Sequence, residues 1–269
     1  MFGRELTEQV RSDSKISDRM VPLIVEKCIA AVDANGKYPS APLGQPINIV
    51  TDSFRVALDY EGIYRKTGGS GQSKLITQLF ERGDYAAFDL LDGDRFNDIC
   101  STTSVLKTYF RSLPNPLLTF ALHDEFIYAS SIQDPVQRSA KYADLVKQLP
   151  TEHYYTLRIL MLHLYRLVWP ILSVLATLAD GCGFRLQDSR TPRAESDDGT
   201  QSRCRLWTYV SSLLPGLTLC THATTAAATL MRSRNPAAEF SDMAGKALSI
   251  EWLVENAPTI FPPLPTSSH

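Results

Sequence analysis

The sequence predicts an all-α protein, and three observations carry that expectation. Apolar residues recur at helical spacing in segment after segment, alternating strand patterns are nearly absent, and the connections between the periodic segments are short. A helical bundle is the expected architecture. The first clear helix is "VPLIVEKCIAAVDANG", with Pro22 suited to the first turn, Val21, Val25, Cys28, Ile29 and Val32 on one face, and Gly36 able to close the end. "SKLITQLFERGD" predicts a shorter helix that turns Leu75, Ile76, Leu79 and Phe80 inward and ends at Gly83. In "DRFNDICSTTSVLKTYFRSLP" the inward stripe is Ile99, Thr103, Leu106, Phe110 and Leu113, and Pro114 stops the helix. Helices come next over "FALHDEFIYASS", over "DPVQRSAKYADLVKQLP" with Asp134 as cap and Pro135 in the first turn, and over "TEHYYTLRILMLHLYRL" with Thr151 as cap. Residues 241–256 make a last amphipathic helix.

Composition narrows the function classes. The chain has 269 residues, so one core can organise it, and one domain is expected. Its 27 Lys and Arg nearly balance 29 Asp and Glu, which argues against a nucleic-acid partner and confines any positive site to a local patch. The five cysteines, Cys28, Cys100, Cys182, Cys204 and Cys220, never form a C-x-x-C pair, so neither a disulfide framework nor a zinc site is expected. A reducing cytoplasm fits. The longest apolar run, "LVWPILSVLATLA", is broken by Pro170 and too short for a transmembrane segment, which predicts a soluble chain. His153 and His163 lie ten residues apart with no H-E-x-x-H, so metal ligation is not expected, and His163 reads as a packed, hydrogen-bonded core residue.

The informative stretch is "LDYEGIYRKTGGSGQ". It sets Arg65 between a buried-looking "GIY" and a glycine-rich run. Arg65 could be an ordinary surface arginine. A phosphate loop is the second reading, but in "GGSGQSKL" the lysine follows a serine rather than the required glycine, and no buried strand precedes it. The third is an arginine lent to another protein's active site, since a guanidinium is always charged and forks toward phosphate oxygens. Such a residue needs an anchored approach, which Ile63 and Tyr64 could give. On the helix of "SVLKTYFRSLPNPLL", Lys107 and Arg111 stand at i and i+4 and share a face.

Three ordered motifs, "EGIYRKTGG", "VLKTYFRSLPNPLL" and "LPTEHYYTLRILMLHL", together resemble the Rho GTPase-activating protein (RhoGAP) domain. Flanking segments agree: "VPLIVEKCIAAVDANG" is similar to the family's first core helix, and "TLMRSRNP" with "FSDMAGKALSIEWLVENAPTIF" resembles its last segment as found in fungal cell-polarity Rho GAPs. The resemblance covers about residues 2–36, 58–166 and 229–261. It implies an all-helical bundle with no cofactor, acting on a Rho-family small GTPase in its GTP-bound form. By the same resemblance Arg65 is the arginine finger, Lys107 and Arg111 are the basic pair that supports the loop and contacts the GTPase, and Pro116 lies at the docking surface. A cytoplasmic location with recruitment to the cell cortex by the partner would follow.

Two segments depart from that pattern. Residues 37–57 carry Pro39, Pro42 and Pro46 and no helical period; residues 167–228 lack the asparagine-bearing helix the family places there. Both read as irregular insertions or gene-model errors, and Gly36-Lys37-Tyr38 is compatible with the donor-like string GTAAGT. A catalytically impaired module that binds a GTPase or other signalling partner without activating it is the alternative that the missing helix favours.

Overall fold

The computed structural model describes residues 1–15, 19–35, 63–64, 66–83, 85, 88–181, 229–235 and 237–261, with only the helical backbone over 168–181. Its elements are α1 (Leu6–Asp13), α2 (Leu23–Asn35), α3 (Ser70–Arg82), α4 (Ile99–Ser112), α5 (His123–Ser131), α6 (Pro135–Lys147), α7 (Thr151–Gly181), α8 (Ala238–Ser241), α9 (Met243–Glu255) and α10 (Ala257–Ile260). No strand occurs among the described residues. The chain divides into two compact units: Met1–Lys37, Gly62–Tyr165 and Leu219–His269 form one, Tyr38–Glu61 and Arg166–Thr218 the other. Apart from the α7 backbone, the departing segments 37–57 and 167–228 lie outside the described residues, as does Gly36. The first unit holds the motifs that carry the resemblance, apart from Glu61 at the start of the first.

In that unit α4 packs against both α2 and α3 and is the central helix. Asp98 starts it by accepting from the Cys100 N–H (3.0 Å), and Pro114 follows its last turn. Thr103, Leu106, Phe110 and Leu113 are buried as the spacing predicts, but so are Ser101, Thr102, Val105 and Tyr109, while Ile99 is only half-buried. A helix covered by two neighbours needs more than one apolar stripe. Its hydroxyl residues pack close and satisfy nearby carbonyls, which a stripe of leucines could not do.

On α2 the predicted face is buried throughout: Val25, Cys28, Ile29 and Val32, with Val21 just before it. Pro22 precedes the first helical residue, and its carbonyl accepts from Val25 (3.0 Å) and Glu26 (3.2 Å). α3 buries Ile76 and Phe80, and Phe80 meets Phe88 edge-on at 5.1 Å. Leu75 corrects the expectation: it is exposed, because Ile76 and Phe80, four apart, define the covered line, and Leu75 falls beside it. Gly83 closes the helix at φ 74°, a conformation that favours glycine.

A second cluster joins α5, α6 and α9. Tyr142 stacks on Trp252 at 4.4 Å, its hydroxyl donates to Ser249 Oγ (3.0 Å), and Ser249 in turn donates to Phe126 O (2.9 Å). Asp134 caps α6 by accepting from Val136 N (3.0 Å). Thr151 is the first helical residue of α7 rather than its cap, since Pro150 O already accepts from Tyr154 N (2.9 Å). The helix expected to end near Leu167 runs on to Gly181. Pro170 removes one hydrogen bond at a cost of about 3 kcal/mol, and the leucine- and alanine-rich run after it has high helix propensity.

Glu255, in the last turn of α9, is held at a pKa of about 8 by burial and by the Glu251 charge, against the opposing pull of Arg138. Raising a carboxyl means the folded state binds the proton more tightly, so stability is greatest in acid and falls as pH rises from about 4.5 to about 8. Glu255→Gln should flatten that fall. We expect the variant to gain ~1–3 kcal/mol over the parent at pH 8 and little at pH 5. Thermal melts across that range check it, and parallel pH profiles would contradict it.

Candidate functional site

The chain passes from inside to outside across residue 65. Ile63 (6% exposed) and Tyr64 (8%) are buried, and Lys66 and Thr67 are exposed; Arg65 itself lies outside the described residues. On the buried side, Thr103 Oγ1 donates to Ile63 O (2.9 Å), and the Tyr64 hydroxyl lies 2.7 Å from His163 Nε2. On the exposed side, Gly68 N donates to Ser104 Oγ (3.1 Å) and Gly69 N to Asp98 Oδ2 (2.7 Å), while Ser101 Oγ donates to Gly69 O (3.1 Å). Lys107 bridges the two: its Nζ donates to Tyr64 O (2.8 Å) and to Lys66 O (3.3 Å). The main chain is thus gripped just before and just after residue 65.

α4 supplies most of these partners from one face. Thr103 and Lys107 are a turn apart, as are Ser101 and Ser104, so the loop lies along the N-terminal half of the helix. Gly68 is where the two backbones come closest. A β-carbon built there would sit 2.1 Å from Ser101 N and 2.4 Å from Cys100 C, so only a residue without one fits.

Charge follows from this packing. Burial, then the neighbouring Arg111 charge, lowers the Lys107 pKa from the usual lysine range. Two carbonyls nevertheless receive its ammonium, which is what an amine denied bulk water requires. Burial pushes the Asp98 carboxyl upward, but the Ser101 hydroxyl and the amides of Gly69, Cys100 and Ser101 outweigh it and hold the group below its ordinary value. Arg111 is exposed, one turn beyond Lys107. Pro116 is buried in the turn after α4, and its carbonyl accepts from Thr119 N (2.9 Å).

Residues 47–169 match the RhoGAP domain family. The chain carries a RhoGAP domain. Among curated relatives, Rho GTPase-activating protein 27 of Rattus norvegicus is 36% identical over 148 residues, 55% of this chain and 14% of that protein. The probable Rho-type GTPase-activating protein 3 of Schizosaccharomyces pombe is 29% identical over 166 residues, 62% of this chain and 14% of its own length. The chain therefore spans only 14% of the length of these relatives. The solved structure of human Rho GTPase activating protein 15 has the same fold, with a TM-score of 0.65 at 21% identity over 97% of this chain and 91% of that one.

The RhoGAP match contains Arg65, Lys107, Arg111 and Pro116. It begins at residue 47, inside the proline-bearing segment 37–57, and it does not include the flanking segments 2–36 and 229–261. Sequence reasoning missed three groups near this loop and the helix that carries it. Asp98 ties the loop to the start of α4; an Asp-Ile-Cys before a helical stripe was the available signal. Asp33 reaches His163 Nδ1 at 2.7 Å from 130 residues away, which no local pattern betrays. Arg232 donates to Leu113 O and, at 3.3 Å, to Pro114 O, so it closes the C-terminal end of α4 and lies with Arg234 over the Phe120 ring, at 5.8 and 5.6 Å. Of the histidines weighed for metal ligation, His153 donates from Nδ1 to Leu117 O (2.9 Å) inside the core.

Proposed function

We propose that this chain stimulates GTP hydrolysis by a GTP-bound Rho-family GTPase, with Arg65 as the group supplied in trans. The observation that carries the reading is the double grip of Lys107 on Tyr64 O and Lys66 O, at 2.8 and 3.3 Å. A finger acts only if it arrives preorganised, because the charge it meets exists fully only in the transition state. Fixed backbone on both sides of residue 65, where the chain turns from buried to exposed, is the support that a group presented from that position needs. Names of the relatives support the same activity.

In this reading the partner GTPase holds nucleotide and magnesium, and the chain contributes position and one positive fork. Lys107 is the support of the loop. Arg111, exposed on the same helix, makes the docking contact. The buried Pro116 shapes the turn from which that surface continues. Localisation in the cytoplasm and recruitment to the cortex by the GTPase belong to the same proposal; no helix among the described residues is long and apolar enough to cross a membrane.

Single-turnover hydrolysis by a panel of GTP-loaded Rho-type GTPases, with and without this chain, tests the reading. Lys107→Met should reduce the stimulated rate by roughly 10- to 100-fold, on the scale expected when a positioning contact is lost. Arg111→Ala should raise the concentration needed for half-maximal stimulation, with a smaller effect on the maximal rate. Binding without any stimulation by the parent chain would favour the impaired binding module instead.

A further inference from the structure

We propose that Asp33, His163 and Tyr64, the first half-buried and the other two buried, form a positioning relay that sets the peptide plane entering residue 65; this rests on the reading of Arg65 as the group presented. The three residues come from separate parts of the chain: the last turn of α2, the middle of α7, and the loop itself. His163 is fully buried, with Nδ1 2.7 Å from Asp33 Oδ1 and Nε2 2.7 Å from the Tyr64 hydroxyl.

The protons follow from the partners. A carboxylate only accepts, so the imidazole proton sits on Nδ1 and is donated to Asp33. In the neutral ring Nε2 then accepts, and the Tyr64 O–H donates to it. That phenol stays protonated because burial, and after it the nearby Cys28 and Asp33, push its pKa well above the ordinary tyrosine value. The ring edge of Tyr64 also meets the imidazole at 73° with centroids 5.9 Å apart, so the side chain is fixed in tilt as well as in reach.

Two features mark this as more than a satisfied core histidine. Asp33 lies in the last turn of α2, where the helix dipole disfavours an acid, and that turn carries no basic residue. The imidazole N–H is a partner that offsets this placement. Tyr64 is also held at both ends: its hydroxyl by the relay, its carbonyl by Lys107 and its preceding carbonyl by Thr103. Because the peptide unit is planar, fixing Tyr64 O fixes the plane through which the chain enters residue 65. Without His163 the buried Tyr64 hydroxyl would lose this partner.

Tyr64→Phe keeps the ring and removes only the donor, and Asp33→Ala breaks the far end without touching the loop. With a GTPase that the parent stimulates, each should lower the maximal single-turnover rate by roughly three- to tenfold, the size of one net hydrogen bond. The concentration for half-maximal stimulation should stay within about twofold. The double variant should be no slower than the worse single one, because both substitutions break one chain. Unchanged maximal rates, effects confined to half-maximal concentration, or strictly additive effects would overturn the relay. Should the parent stimulate no GTPase, the activity reading fails and the relay is judged separately. Imidazole ¹⁵N shifts should then show an Nδ1–H tautomer of His163 that is lost in Asp33→Ala, and amides 63–69 should exchange faster in both variants. A parent tautomer protonated on Nε2 alone, or unchanged exchange, would refute it.

Discussion

Arg65→Ala is expected to remove nearly all stimulation of GTP hydrolysis while leaving binding of the GTP-loaded GTPase within a few-fold of the parent. An arginine finger contributes about 10³–10⁵ in turnover for phosphoryl transfer generally, roughly 4–7 kcal/mol of barrier. None of the contacts described on either side of residue 65 uses its side chain. Ile63 O, Tyr64 O and Lys66 O keep their donors on α4. Maximal rate should therefore collapse at nearly constant half-saturation, the pattern of a group that acts only in the transition state. Arg65→Lys should recover little, because an ammonium lacks the fork that spans two oxygens. A variant as active as the parent would remove Arg65 from the mechanism altogether.

Gly68→Ala is expected to be the next most damaging change, and by a different route. Its added carbon would lie 2.1–2.4 Å from backbone atoms of Ser101 and Cys100, which belong to a helix packed between two others and have nowhere to go. The loop must lift instead. That breaks the bonds from Gly68 N to Ser104 and from Gly69 N to Asp98, and pulls Lys66 O away from Lys107. Misplacing a catalytic group by about 1 Å costs on the order of 10²-fold. We expect a loss of that size in stimulated rate with α-helical content unchanged by circular dichroism. Full activity would mean that the loop is not seated on α4.

The helical plan of this chain was readable because each helix announces itself within a dozen residues. Val25, Cys28, Ile29 and Val32 repeat at the helical period, Asp134-Pro135 opens α6, and Gly83 closes α3. What a local pattern cannot report is how many sides of a helix are covered. α4 carries Ser101 and Thr102 into the interior, residues that look indifferent in sequence, because two neighbours enclose it. Leu75 errs in the opposite direction, an apolar residue left outside.

The site divides along the same line. Lys107 and Arg111 were legible as a pair four residues apart, and Ile63 and Tyr64 as an anchor before a glycine-rich run. The groups that the anchor ties to were not. Tyr64 and His163 are separated by 99 residues and His163 and Asp33 by 130, so only the fold brings them together. A general rule was available: a tyrosine and a histidine both predicted to be buried must find partners, and each is a candidate for the other.

Apart from the Tyr64 hydroxyl, the fastenings of the loop grip peptide oxygens and amides. Residue 65 can therefore be rewritten without unmooring them. A chain disarmed at residue 65 keeps the outline of the active one, and so becomes a decoy: it would occupy a GTP-loaded partner, leave the nucleotide intact, and report which GTPases this surface selects.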